Sequence, residues 1–198
     1  MFTAQSALAG TAVAPHLYWI ASRAAGVAAL VLSSLAVCVG LSLGGHLVRG
    51  HGAELRVAHE ALSLATLAAL AVHGLSLLGD GYLHPSIGDI SMPLMSGYET
   101  LWTSAGIVAF WMLLVLGLSY YARQRIGVQR WRVLHRFAAL AWILGIVHSL
   151  GEGTDAGQAW FLAMSALVVV PALALLGYRW CDGRLLAGSS TTSIGETR

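Results

Sequence analysis

The chain has 198 residues, 57% of them hydrophobic and 10% charged, with a mean hydropathy of +0.73 and a formal net charge of +2. A soluble domain carries about 25% charged residues, so this much apolar surface has no aqueous way to be buried. The composition therefore excludes a soluble enzyme and predicts an integral membrane protein, with no nucleic-acid partner expected. All eleven basic residues are Arg. Cys38 lies inside the first apolar run and Cys181 just after the last, so both read as packing residues and not as a disulfide.

Residues 1–16 are small, neutral and Ala-rich, and they lack the basic start of a secretory signal. They read as an N-terminal outer segment. Five apolar runs follow at Leu17–Leu43, Val57–Leu78, Leu101–Tyr121, Trp131–Leu150 and Gln158–Tyr178. Each is close to the ~20 residues that ~30 Å of hydrocarbon requires. Helix is the state in which such a run satisfies its own backbone, and no period-two alternation marks a barrel. The expected fold is an all-α membrane protein, a bundle of five transmembrane helices over residues 17–180. Residues 181–198 read as a flexible cytoplasmic tail.

Charge predicts the orientation. Arg49 and Arg56 lie in the first connection, Arg123, Arg125, Arg130 and Arg132 in the third, and Arg179, Arg184 and Arg198 after the last run. The second connection carries Asp80, Asp89 and Glu99 and the fourth Glu152 and Asp155, with no cation in either. The positive-inside rule then places the N-terminus outside and the C-terminus in the cytoplasm, in a multi-pass protein of a bacterial inner (plasma) membrane. Trp19, Trp102, Trp131, Trp160 and Trp180 sit near run ends, as interfacial aromatics do. The long outer loop, Gly79 to Thr100, reads either as a partly amphipathic cap or as an ordinary interfacial connection. Its His84 is either solvated or available to an outer substrate or metal.

The chemistry lies in the second and fourth runs. The second carries His59 and His73, 14 residues apart, and the fourth His135 and His148, 13 apart. At ~1.5 Å per residue these are rises of ~21 Å and ~20 Å. The two runs point the same way, so His59 matches His135 in depth near the inner face, and His73 matches His148 near the outer face. Each pair is placed to ligate one iron from opposite sides, giving an inner and an outer haem with no open axial position. Such sites suit electron transfer better than oxygen binding. Ionisable residues within a membrane are functional candidates by default. At ~100° per residue, His59 and His73 share a helix face to within ~40°, but His135 and His148 fall ~140° short of whole turns. Tilt, rotamer choice or an irregularity near Gly145 is needed to absorb this.

Haem propionates favour arginine. Arg56 and Arg132 each precede an inner histidine by three residues and are candidates for inner propionates; lipid-headgroup contact is the alternative. Arg23, the only arginine in the outer half, is placed for a buried anion such as an outer propionate, with snorkelling to the interface as the alternative. Ala24, Ala25, Gly26, Gly74 and Gly145 offer either an approach for a flat macrocycle or plain close helix contacts. Phe110, Trp111, Phe137 and Trp142 read as core or as haem neighbours. A histidine-based metal transporter fits the spacing too, but it would normally show acidic ligands in the membrane. Glu60, beside His59, is the only such carboxylate near the pairs.

The YWIASRAAGVAALVL stretch of the first run, the His59/His73 pair, the RQRIGVQRWRVLHRF turn with His135, and GIVHSLGEGTDAG with His148 together resemble the ferric-reductase-like transmembrane domain family. That family includes the membrane parts of ferric reductases and NADPH oxidases, and the haem-bearing subunit of the periplasmic methionine sulfoxide reductase system. The resemblance spans about Leu17 to Tyr178. It implies that the four histidines ligate two haem b groups, and that the activity is electron transport across the membrane within an oxidoreductase system. Members usually carry a flavin- and nicotinamide-binding domain after the last run. No Gly-rich nucleotide motif follows here. The expectation is a membrane cytochrome b served by a separate electron donor (a flavoprotein, a quinol or another membrane redox subunit) and an outer-side acceptor. The runner-up is a haem-binding accessory subunit of a larger respiratory or photosynthetic complex.

Overall fold

In the computed structural model, backbone is described for residues 3–45, 50–81, 83–153 and 155–192, and side chains for those of them within 17–181. Among the described residues the chain is helical without a strand. In chain order the helices are α1 (Thr3–Gly44), α2 (Gly52–Leu77), α3 (Ile87–Ser91), α4 (Thr100–Leu118), α5 (Arg123–Ile126), α6 (Val128–His135), α7 (Ala138–Gly151) and α8 (Ala159–Thr192). Five stretches are long and apolar enough to cross a bilayer: Leu17–Gly44, Gly52–Leu77, Thr100–Ile126, Val128–Gly151 and Ala159–Cys181. This is the architecture of a multi-pass membrane protein, and each stretch overlaps one expected run.

α1 is the hub. It packs along α2 and α8 and touches α7, while α7 packs along α4. Small residues line these interfaces: Ala29, Ala36, Ser22 and Ser34 on α1, Ala109 and Ser104 on α4, Ala141 on α7, and Ala172 and Ser165 on α8 are all buried. In lipid there is no hydrophobic drive between helices, so close backbone approach and local hydrogen bonds hold them together. Larger groups fill the centre, where Leu30, Trp142, Phe161, Val169 and Ala172 form one cluster. The Trp142 indole donates to the Ser34 hydroxyl at 3.1 Å, tying α7 to α1. Leu101, Leu167, Leu75 and Val57 point outward and are strongly exposed, which suits a hydrocarbon solvent.

Three departures from the sequence reading have local causes. α8 runs on to Thr192, so a helix replaces much of the expected tail; Arg184, Leu185, Leu186 and Ala187 are good helix formers. Ser193–Arg198 lie outside the described residues. α6 and α7 are separate helices, broken at Arg136 and Phe137. The loop between Gly79 and Thr100 is tied to the side of α4. The Trp111 indole donates to the Ser91 carbonyl at 2.8 Å, and the Leu94 amide to the Ser104 hydroxyl at 2.8 Å. Trp111 lies eleven residues into α4, about 16 Å along it, so α3 leans down the flank of that helix. α3 itself is held by a capping box: the Asp89 amide donates to the Ser86 hydroxyl at 3.2 Å, and the Ser86 amide to the Asp89 carboxylate at 2.7 Å. Hydrogen bonds from the Ser86 side chain and backbone hold the Asp89 carboxyl below its usual range. His84, Leu94 and Glu99 adopt left-handed backbone, a conformation that favours glycine, and so shape this tight loop.

Candidate functional site

The four histidines come together in the two depth-matched pairs. His59 and His135 have ring centroids 6.1 Å apart, and His73 and His148 have theirs 6.2 Å apart. The ring planes cross at 87° and 71°. The separations have a chemical meaning. With about 2.0 Å for each metal–nitrogen bond and about 1.1 Å from nitrogen to ring centre, two imidazoles on one metal place their centroids about 6.2 Å apart.

The second nitrogen of each ring is accounted for by a neighbouring helix. Nδ1 of His59 donates to the Ala36 carbonyl at 2.9 Å, and Nδ1 of His73 to the Ser22 carbonyl at 2.8 Å. Ser22 closes the contact by donating its hydroxyl to the His73 carbonyl at 3.0 Å. Nδ1 of His148 reaches the Trp102 carbonyl at 2.9 Å and Oε2 of Glu152 at 3.0 Å. Oε1 of Glu152 accepts from the Thr103 hydroxyl at 3.1 Å. Such bonds fix the tautomer with the proton on Nδ1 and leave Nε2 its lone pair, the usual arrangement of a metal-binding histidine.

A helix carbonyl already accepts from the amide four residues on, so reaching it requires room. Glycine makes that room at each of these three histidines. A Cβ on Gly40 would come within 2.9 Å of His59, one on Gly26 within 3.0 Å of His73, and one on Gly106 within 2.7 Å of His148. In each case the glycine lies four residues after the accepting carbonyl: Ala36 and Gly40, Ser22 and Gly26, Trp102 and Gly106. Gly26 and Gly40 are 14 residues apart, matching the spacing of His59 and His73 on the antiparallel helix.

His135 is different. Its Nδ1 is buried without a hydrogen-bond partner. The equivalent carbonyl on α4, that of Leu116, accepts from the Ser119 hydroxyl at 2.7 Å, and four residues on the Tyr120 amide has already left the helix for the Gly117 carbonyl at 3.2 Å. The ring instead stacks on Trp131, 4.9 Å away at 24°. Trp131 is steadied by Tyr120 at 5.8 Å and by its own hydrogen bond to Ser119 at 3.1 Å.

Comparison with known proteins yields no matching family model, no matching curated protein and no matching solved structure.

The rotational mismatch on the fourth run is met in part at Arg136 and Phe137, and not near Gly145, which lies inside continuous α7. The amides of Arg136, Phe137 and Ala139 bond three residues back, to Val133, Leu134 and Arg136. A three-residue turn advances ~120° per residue against ~100°, so these three steps recover about 60° of the ~140° shortfall.

Arg23 finds its anion within the chain. Its Nε and Nη2 donate to the two carboxylate oxygens of buried Asp155, and its guanidinium lies 5.0 Å from the Trp19 ring. The position therefore needs no propionate to explain it. Arg56 and Arg132 are exposed, one turn from His59 and His135. Gly74 and Gly145 meet nothing within reach of a Cβ, so of the small residues singled out, Gly26 serves an imidazole. Trp142 is core, whereas Trp111 and Phe137 are exposed. Glu60 accepts a hydrogen bond from the Tyr121 hydroxyl at 2.7 Å. Among the described residues no group of three or more His, Cys, Asp or Glu gathers as ligands for a metal ion.

The Arg23–Asp155 pair clamps the loop after α7 to α1. Asp155→Asn is expected to cost about 1–3 kcal/mol, between the worth of an exposed and of a buried pair, because the Arg23 side chain is 38% exposed and that of Asp155 7%. Thermal unfolding in detergent measures it as a lowered midpoint. The double variant Arg23→Leu with Asp155→Leu should recover part of the loss, since it leaves no unpaired charge.

Proposed function

We propose that this chain is a membrane b-type cytochrome, similar in plan to the ferric-reductase-like transmembrane domains. It would pass single electrons across the bilayer through two haems held by His59 with His135 and by His73 with His148. The observation that carries the reading is the pair of centroid separations, 6.1 and 6.2 Å, together with the Nδ1 anchors that leave Nε2 for a ligand. Two residues per site suffice for haem, because the porphyrin supplies the equatorial nitrogens. A free metal ion needs more ligands from the protein than these pairs provide, which disfavours the transporter reading.

Haem bound between two imidazoles supplies a one-electron carrier. The protein's part is to present both rings in the right tautomer and hold them while charge changes. The hydrogen bonds to Ala36, Ser22 and Trp102 do this at three of the four ligands. α2 and α7 carry most of the ligands yet form no main helix interface with each other, so the gap between them belongs to the ring pairs. The apolar spans keep water from the path. Arginines at one end of the bundle and carboxylates at the other support an orientation with the His59 pair on the cytoplasmic side. Electrons would enter there from a separate donor (a flavoprotein, a quinol or another redox subunit) and leave to an acceptor at the outer face. Stable isolation with other redox subunits would favour the accessory-subunit reading.

The test is electron transfer in sealed vesicles with a membrane-impermeant reductant inside and ferricyanide outside. Vesicles containing the haem-loaded protein should reduce external ferricyanide, and protein-free vesicles should not. Equal rates in both would contradict the proposal.

A further inference from the structure

The two sites are not built alike, and the difference lies at one ligand. His59, His73 and His148 each rest on a carbonyl made accessible by a glycine. The carbonyl in the corresponding place for His135, that of Leu116, stands at the end of α4 and accepts from the Ser119 hydroxyl at 2.7 Å, and the buried Nδ1 of His135 has no hydrogen-bond partner. His135 is also the last residue of α6, an eight-residue helix, and the next two residues form the break before α7. The other three ligands sit within α2 or α7. What holds the His135 ring is stacking on Trp131. Stacking resists tilting but allows sliding, and it fixes no tautomer.

We propose that His135 is a labile axial ligand, and that the inner site it shares with His59 opens on that side to a small neutral diatomic molecule. The proposal rests on the haem reading above. The step is a ligand substitution. With haem bound, the incoming molecule would take the place of Nε2 of His135, with no electrons gained or lost. His59 remains as the opposite ligand, anchored on Ala36. In the outer site His148 is held by its hydrogen bond to the Trp102 carbonyl, with the Glu152 carboxylate 3.0 Å from the same nitrogen.

The experiment uses the purified, haem-loaded full chain. Haem is counted chemically, the protein is reduced with dithionite, and carbon monoxide is added as the probe while the spectrum is followed. The expected result is two haems per chain with carbon monoxide taken up by half of them. With Gly106→Leu, whose Cβ already collides with His148 and empties the outer site, the one haem left per chain should take up carbon monoxide in full. Two haems with no uptake, or uptake by both in the unaltered chain, overturns the proposal and leaves the cytochrome reading standing. So does a Gly106→Leu chain whose remaining haem takes up none. A chain that binds no haem overturns both.

Discussion

Gly106→Leu is expected to abolish the outer haem and leave the inner one, so that haem content falls from about two per chain to about one. The reason is steric and local. Even a Cβ at this position would stand 2.7 Å from Nδ1 of His148, and the rest of a leucine has nowhere to go. The ring must swing off the Trp102 carbonyl and away from its partner, His73, whose ring centroid lies 6.2 Å from its own. Gly40→Leu is the matching change at the inner site, where a Cβ would stand 2.9 Å from His59. Haem analysis of the purified variants checks both. Leucine is a better helix former than glycine, so the change itself favours the helix. Retained fold and lost haem would then be separable by circular dichroism and absorption on one sample.

His73→Ala is expected to stop transmembrane electron transfer, with a rate loss beyond the 10–100-fold that losing a mere supporting partner of a ligand typically costs. On the proposed reading it would remove one of the two ligands of the second site, and with it the last carrier before the acceptor. The vesicle assay measures this directly. His84→Ala, at the exposed loop histidine, is the control and should leave the rate unchanged. An equal loss in both variants would mean that the assay reports folding and not the conduit.

Much of this arrangement is legible in the residues before any coordinates are seen. Five runs of membrane length, a histidine near each end of two of them, and spacings of 14 and 13 residues are enough to pair His59 with His135 and His73 with His148. The supports of those histidines are not. A glycine beneath an imidazole looks like any other in a chain with 23 of them. What would have singled out Gly26 and Gly40 is their own 14-residue spacing, which repeats that of the histidines on the next helix. The break at Arg136 and Phe137 carries no proline or glycine to announce it. It arises where α6 ends at the Trp131 stack and α7 begins to pack on α4. The partner of Arg23 was hidden because Asp155 is 132 residues away, in a loop that reads as a plain acidic connection.

The measurement that bears most directly on the account is a reduced-minus-oxidised absorption spectrum of the purified protein, with pyridine haemochrome quantification per chain. Four imidazoles in two pairs at 6.1 and 6.2 Å predict a b-type spectrum and two haems per chain. Protein expressed with ample haem supply that folds, stays monodisperse and shows no haem absorption would contradict the reading of these pairs as axial ligands.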